Sequence, residues 1–270
     1  MNNQISILGT GWLGLPLATA LIEQGYFIKG STTSLRKLRQ LKSNAIEPHH
    51  IIIKEEGVAG EVQAFLRDSE LLIINIPPGL RRNPTIDFVS KIRNLIPHIE
   101  KSSVKNVIFV SSTSVYQDEE GFPLILSETI PNALSNAGKQ LFEVEKLLQT
   151  NTKFNVTILR FGGLFDSRRH PANMLSRKTN IKNPKAPVNL IHLNDCIGVI
   201  KKIIETQSWN DIYNAAYPSH PEKSVYYSKV CKQLGLPAPD YDFKTLSKGK
   251  IIDSKKITEK LGYQFSQALS

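Results

Sequence analysis

The sequence predicts an α/β fold, a Rossmann-type doubly wound parallel sheet with a small C-terminal substrate-binding part, and three observations carry that reading. Short apolar runs alternate with stretches of helical spacing from Ile5 to Asn214, the pattern of strands joined by crossover helices. The runs Leu71–Ile76 and Val107–Val110 are apolar with little polar alternation, as expected of parallel strands covered on both faces. A glycine-rich turn follows the first run directly, and that context of strand, turn and helix is what gives such a motif weight.

The first unit is the most informative. Ile5, Ile7 and Leu8 make a strand that stops at Gly9, and the chain then reads Gly9-Thr10-Gly11-Trp12-Leu13-Gly14. Leu15 to Gln24 is helical in period, Gly25 ends it, and Tyr26-Phe27-Ile28 opens the second strand. Gly9 permits the tight turn, Gly11 the approach of a backbone to a pyrophosphate, and Gly14 the close packing of helix on strand. The helix start supplies free N–H groups for phosphate. Gly9, Gly11, Trp12, Leu13 and Gly14 are therefore cofactor-binding candidates.

The second strand ends in Gly30-Ser31-Thr32-Thr33-Ser34, with Arg36 and Lys37 beyond. In this fold an acid at that position reads the two ribose hydroxyls of NAD. Here hydroxyls and bases stand in its place, which suits a 2′-phosphate. NADP is expected over NAD, with Ser31, Thr32, Thr33 and Arg36 as its readers.

His49 to Ile53 reads as a third strand and Leu71 to Ile76 as a fourth, stopped by Pro77-Pro78-Gly79 because proline cannot continue a buried ladder. Ile76 and Pro77 would then lie beside the cofactor, and Arg81 and Arg82 follow, placed either to reach an anion or to stand in solvent. Phe88 to Ile99 is an amphipathic helix with Phe88, Ile92, Leu95, Ile96 and Ile99 on one side. The central strand Val107–Val110 ends in Ser111-Ser112-Thr113-Ser114-Val115-Tyr116, hydroxyls at the end of the sheet where ligands bind. Asn132 to Thr150 is a further helix, and Val156 to Phe161 a sixth strand closed by Gly162-Gly163.

From Ser167 to Pro187 the texture changes. The segment carries Arg168, Arg169, His170, Arg177, Lys178, Lys182 and Lys185, holds no acid and is broken by three prolines. It reads either as a clamp for an anionic substrate, through Arg168, Arg169 and His170, or as a solvated loop. Val188 to Leu193 is a short strand, Asn194-Asp195 is read as the cap of a helix to Glu205, and Ile212-Tyr213-Asn214 is another strand. Helices follow at Ser224–Leu234 and Ser254–Leu261, closed by Gly235 and Gly262. Residues 1–165 are thus expected to form an NAD(P)-binding domain. Residues 166–270 are read as a mixed segment of substrate-binding loops and helices, plus elements returning to the main sheet.

The formal charge of +10 raises nucleic acid as a partner, but the basic residues are spread along the chain without a basic-aromatic recognition motif. No nucleic acid is expected. No apolar run approaches the roughly 20 residues that span a bilayer, and the opening Met-Asn-Asn-Gln shows no basic region followed by a long apolar segment, so no leader is expected. A cytoplasmic protein without membrane contact is expected. Cys196 and Cys231 are the two cysteines and lie far apart, so no metal is expected. A small anionic molecule is the expected partner, with a homodimer as the candidate assembly.

Taken together, the glycine turn, Val110 to Tyr116, Leu159-Arg160-Phe161-Gly162-Gly163, Asn189 to Asp195, Tyr213-Asn214 and Lys260-Leu261-Gly262-Tyr263 resemble the extended short-chain dehydrogenase/reductase family, the NAD-dependent epimerase/dehydratases. More narrowly, Gly11-Trp12-Leu13-Gly14, Ser111 to Tyr116, Arg169-His170-Pro171 and Gly249 to Asp253 resemble its YeeZ-like branch. The resemblance implies hydride exchange at a carbon bearing oxygen. It implies a Ser that hydrogen-bonds the substrate oxygen, matched by Ser112, and a Lys that holds the nicotinamide ribose, matched by Lys139. The family's tyrosine, four residues before that lysine, falls on Ser135, whose hydroxyl is far too weak an acid for the same work. Tyr116 joins Ser112 and Lys139 as a catalytic candidate, with His170 and His192 as other sources of a proton. Two functions stay open: an NADP-dependent oxidoreductase or epimerase acting on an anionic, sugar- or nucleotide-linked substrate, and a non-catalytic dinucleotide-binding sensor or interaction protein.

Overall fold

The computed structural model describes residues 3–80 and 82–269. Its first half winds as β1 (Gln4–Leu8), α1 (Gly14–Ile22), β2 (Phe27–Thr32), α2 (Leu35–Ser43) and β3 (Glu47–His50). A hairpin of β4 (Ile52–Lys54) and β5 (Gly57–Ala59) follows, then α3 (Val62–Leu66), β6 (Leu71–Ile74), α4 (Phe88–Glu100) and β7 (Asn106–Ser112). A 3-10 turn, Thr113–Val115, leads on to β8 (Leu124–Ile125), α5 (Asn136–Gln149) and β9 (Asn155–Phe161). The remainder is β10 (Gly163–Phe165), α6 (Ala172–Leu175), β11 (Leu190–His192), α7 (Leu193–Thr206), β12 (Ile212–Ala215), α8 (Lys223–Gln233), β13 (Ile251–Ile252) and α9 (Lys255–Leu261).

Seven strands form one sheet in the order β12-β9-β7-β6-β1-β2-β3, and every pairing in it is parallel. The doubly buried runs explain why. Leu72 and Ile74 of β6 and Val107 and Phe109 of β7 enter the core on one face, with α3, α4 and α5. Leu71, Ile73 and Ile108 enter the core on the other, with α1, α7 and α9. Each fully buried Leu or Ile contributes roughly 1.5–3 kcal/mol, and the period of two divides that burial between both faces. A third, smaller core of Phe165, Val188, Leu190, Tyr226, Tyr227 and Cys231 lies under the C-terminal segments.

Three expected elements change. The third apolar run divides at buried Ile51: Glu47–His50 pairs with β2, and Ile52–Lys54 turns back antiparallel onto β5. The helix expected from Asn132 begins at Asn136, because the Ser135 hydroxyl accepts the Gly138 amide at 3.1 Å and caps it there. The cap of α7 is His192, whose Nδ1 accepts the Asn194 amide at 3.1 Å. Asp195 is instead fully buried, where it accepts the Tyr263 hydroxyl at 2.8 Å and the amides of Ser266 and Gln267. Among the described residues, no helix is long and apolar enough to cross a membrane.

Candidate functional site

The chain lays β1, β2 and β3 outward in one direction and then returns to place β6 on the other side of β1. The crevice at such a reversal, outside the carboxyl ends of the strands, is where this architecture binds ligands. Four adjacent strands, β7, β6, β1 and β2, end there side by side. Their ends carry Ser112, then Asn75 to Pro77, then the glycine turn, then Thr32 to Ser34.

The turn itself is closely fitted. Gly9 has φ +99°, a conformation that favours glycine, and a Cβ there would lie 2.5 Å from the Asn75 carbonyl oxygen. A Cβ on Gly14 would press into the Gly9 carbonyl and stand 3.1 Å from the Asn75 amide nitrogen. That amide donates to the Gly9 carbonyl at 3.0 Å, so the end of β6 braces the end of β1. Gly11 differs, since a Cβ there would meet nothing within 4 Å. The turn is thus tight underneath and open above Gly11; the Leu15 and Leu17 amides are already given to the Gly11 and Leu13 carbonyls, each at 3.0 Å, so a phosphate would meet the amides of the turn that precede them. These residues fit the pyrophosphate of a dinucleotide.

Ser31 does not belong among the ribose readers. It is buried, its hydroxyl accepts the Gly9 amide at 2.9 Å, and its carbonyl accepts the Thr10 amide at 2.9 Å and the Thr10 hydroxyl at 2.7 Å. Its hydroxyl is committed to holding the turn against β2. Thr32 accepts the Ser34 amide at 3.2 Å, while Thr33, Arg36 and Lys37 are exposed beside it. Ile76 is half-buried and Pro77 exposed at the neighbouring strand end. Arg82 is exposed, and Arg81 lies outside the described residues.

At the other end of the row, Ser112 is half-buried and accepts the Ser114 amide at 3.1 Å. The start of α5 packs hard on this turn, since a Cβ on Gly138 would strike the Ser114 carbonyl and lie 2.5 Å from the Ala133 Cβ. Lys139 is next in the chain and exposed. Tyr116 leaves the candidate catalytic set. Its ring is 2% exposed, and its hydroxyl accepts from Arg160 and donates to Asn214 at 3.2 Å. Burial pushes its pKa up, against the pull of the Arg160 charge.

The group that encloses Tyr116 is one that sequence reasoning missed. Glu145 is fully buried and receives Arg160 through Nε at 3.1 Å and Nη2 at 2.6 Å, and the Ser111 hydroxyl at 2.6 Å. Burial alone would lower the Arg160 pKa, but the Glu145 carboxylate outweighs it and holds it above its ordinary value. The signal was available in the sequence: Glu145 stands on the helix stripe Leu141, Val144, Leu148, a face otherwise apolar.

The basic segment is pinned rather than free. Lys182 pairs with Asp242 at 2.5 Å, Ser176 donates to the Pro237 carbonyl at 2.9 Å, and Ile181 bridges to Tyr241. His170 sits against Phe165, Tyr226 and Tyr227, with Nε2 3.0 Å from the Tyr226 hydroxyl and Nδ1 accepting the Ala172 amide. Burial lowers its pKa. Both of its ring nitrogens are engaged inside the protein, so it is not a free proton source. Arg168 is exposed. Arg169, placed in sequence far from the glycine turn, stands with its guanidinium carbon 5.1 Å from the centre of the Trp12 ring. The Trp12 indole donates to Asp166 at 2.8 Å.

The same architecture recurs in proteins of known structure. The model of the NAD(P)H-binding family matches residues 9–190. Protein YeeZ of Escherichia coli (strain K12) is 33% identical over 267 residues, covering 97% of this chain and 95% of that protein. UDP-glucose 4-epimerase from Thermotoga maritima, solved with UDP-glucose, superposes with a TM-score of 0.80 at 19% identity, covering 98% of this chain and 94% of that one. UDP-glucuronic acid 4-epimerase from Bacillus cereus, solved in complex with NAD, gives a TM-score of 0.79 at 18% identity, covering 98% and 92%. Those two likenesses are in fold. From its glycine turn to β11, and by its full-length kinship with YeeZ, this chain belongs to the NAD(P)H-binding family with an epimerase/dehydratase-like fold.

Proposed function

We propose that the chain is an NADP-dependent oxidoreductase or epimerase of the short-chain dehydrogenase type, acting on an anionic, sugar- or nucleotide-linked substrate. One observation carries this reading: the row of four adjacent strand ends. The row runs from a phosphate-reading end at Thr32 to Ser34, across the open glycine turn, to hydroxyls at Ser112. Neighbouring strands lie about 4.8 Å apart, so Ser112, two strands from the turn, is roughly 10 Å from it, a span suited to an extended dinucleotide.

In this reading the bound coenzyme supplies hydride exchange at a carbon bearing oxygen. Gly9, Gly11 and Gly14 with the amides of Trp12 and Leu13 hold its phosphates, and Ile76 and Pro77 line its middle. Thr32, Thr33 and Arg36 read the 2′-phosphate. Lys139 holds the nicotinamide ribose, and Ser112 polarises the substrate oxygen. Two relatives in fold are epimerases whose structures hold UDP-glucose or NAD, which supports a sugar-nucleotide type of substrate.

Calorimetric titration with NADPH and NADH tests the reading. Micromolar binding with NADPH the tighter ligand is expected, and Arg36→Ala should erase the preference; binding of neither dinucleotide would overturn it. A second reading, a non-catalytic dinucleotide-binding module, is favoured by a different observation. The Ser135 hydroxyl is spent on a helix cap and Tyr116 is sealed in the core. Turnover by the native protein that Ser112→Ala abolishes would sink this second reading, whereas activity gained only on Ser135→Tyr would support it.

A further inference from the structure

The glycine turn and the start of the basic segment meet at Trp12. Trp12 lies inside the turn, one residue after Gly11. Its indole N–H is fixed on Asp166 Oδ2 at 2.8 Å. The other carboxylate oxygen, Oδ1, accepts the backbone amides of Arg168 at 2.8 Å and Arg169 at 2.6 Å. One carboxylate thus sets both the ring and the backbone from which the arginine rises. The guanidinium then lies over the ring face, 5.1 Å from its centre, an arrangement that orients a planar cation without consuming its charge. Among the described residues, no carboxylate stands within ion-pairing distance of Arg169.

The electrostatics call for such a cation. The glycine turn offers neutral amides, while Asp166 brings a negative charge up to the indole of that same turn. A pyrophosphate approaching Gly11 would meet that repulsion with only backbone dipoles to offset it. An arginine held on Trp12 reverses the local sign and presents a planar, multidentate donor to phosphate oxygens.

We propose that Arg169, carried on the face of Trp12, is the cation that faces the pyrophosphate of the bound dinucleotide. The start of the basic segment then closes the coenzyme site, where the sequence left it between a substrate clamp and a solvated loop. The assignment rests on the dinucleotide-binding reading above.

The test is binding by calorimetry, with NADPH, NADH, ADP-ribose and adenosine 2′-monophosphate as probes, on wild type and Arg169→Ala. Arg169 is exposed, so the variant should melt as wild type does. Expected is a loss of roughly 10- to 100-fold, shared equally by the three ligands that carry a pyrophosphate, with the monophosphate unchanged. The tryptophan signal gives a second readout. With Trp209 replaced by Phe, Trp12 is the single tryptophan, and its emission should respond to ADP-ribose in wild-type Arg169 but not in Arg169→Ala. Equal binding of all four ligands by wild type and variant overturns the assignment. A loss confined to NADPH and the monophosphate also overturns it, since that pattern belongs to a reader of the 2′-phosphate. Failure of the wild-type chain to bind any dinucleotide overturns the underlying reading and this assignment with it.

Discussion

Gly11 and Gly14 should respond to an added methyl group in opposite ways. Gly14→Ala drives a Cβ into the Gly9 carbonyl, so the turn must shift, at a cost of about 1–3 kcal/mol, visible as a lower melting temperature. Gly11→Ala meets nothing within 4 Å, so stability should stay within about 0.5 kcal/mol while dinucleotide affinity, measured by calorimetry, falls at least tenfold. That separation identifies Gly11 as space kept for a ligand rather than for packing. The buried pair makes a different demand. Arg160→Met leaves Glu145 charged and unpartnered in the core, for which about 3–5 kcal/mol of destabilisation is expected in chemical denaturation. The double variant Glu145→Gln with Arg160→Met should recover part of that loss. The tight turn at Gly9 and the close packing at Gly14 were legible in the sequence, because backbone conformation and close approach leave so few alternatives. It misplaced Ser31, because a hydroxyl at a strand end can face a ligand or a neighbouring amide, and only the register of β1 on β2 decides.

At the scale of elements, α5 is the sharpest case. Its first turn is held by Ser135, and Ser135→Ala should cost about 1 kcal/mol, read by thermal melting. Ser135→Tyr removes the same cap, so an activity test with that variant has to be paired with its melting curve. The clasp that holds α9 to the start of β12 carries a pH dependence. Asp211 receives Lys256 at 2.7 Å and Lys260 at 2.5 Å. Burial raises its carboxyl, but the two lysines and the Ile212 amide outweigh that and leave it below its ordinary value. Burial likewise lowers Lys256, and Asp211 and Glu128 outweigh it and raise it. A carboxyl held low stabilises the fold above its unfolded value near 4, and that contribution fades as pH falls through the lower folded value. A lysine held high stabilises below about 10.4 and fades as pH rises through its folded value. The clasp is therefore complete between those limits, and Asp211→Asn should flatten the acid limb of melting temperature against pH. The parallel strands were legible because burial on both faces writes an unbroken apolar run. The cap of α7 was not, because His192 and Asn194-Asp195 are both plausible caps until the backbone fixes which side chain meets the free amide.

Over the whole molecule, the +10 charge predicts that affinity for NADPH weakens as ionic strength rises, and more steeply than for NADH, since the exposed Arg36 and Lys37 are screened over about 10 Å at 0.1 M salt. Titrations at two salt concentrations check this. The doubly wound order was readable from the alternation of runs and helices, whereas the joining of the glycine turn to Asp166 was not, because 154 residues separate the two partners. The buried carboxylate of Asp195 has a consequence in the order of synthesis. It is translated 71 residues before Ser266, whose amide and hydroxyl it needs. Until those residues emerge from the ribosome, a charge destined for the interior has only water as its partner. A chain that stops before Ser266 lacks those donors for the buried Asp195 of α7, and it should therefore melt below the full-length protein.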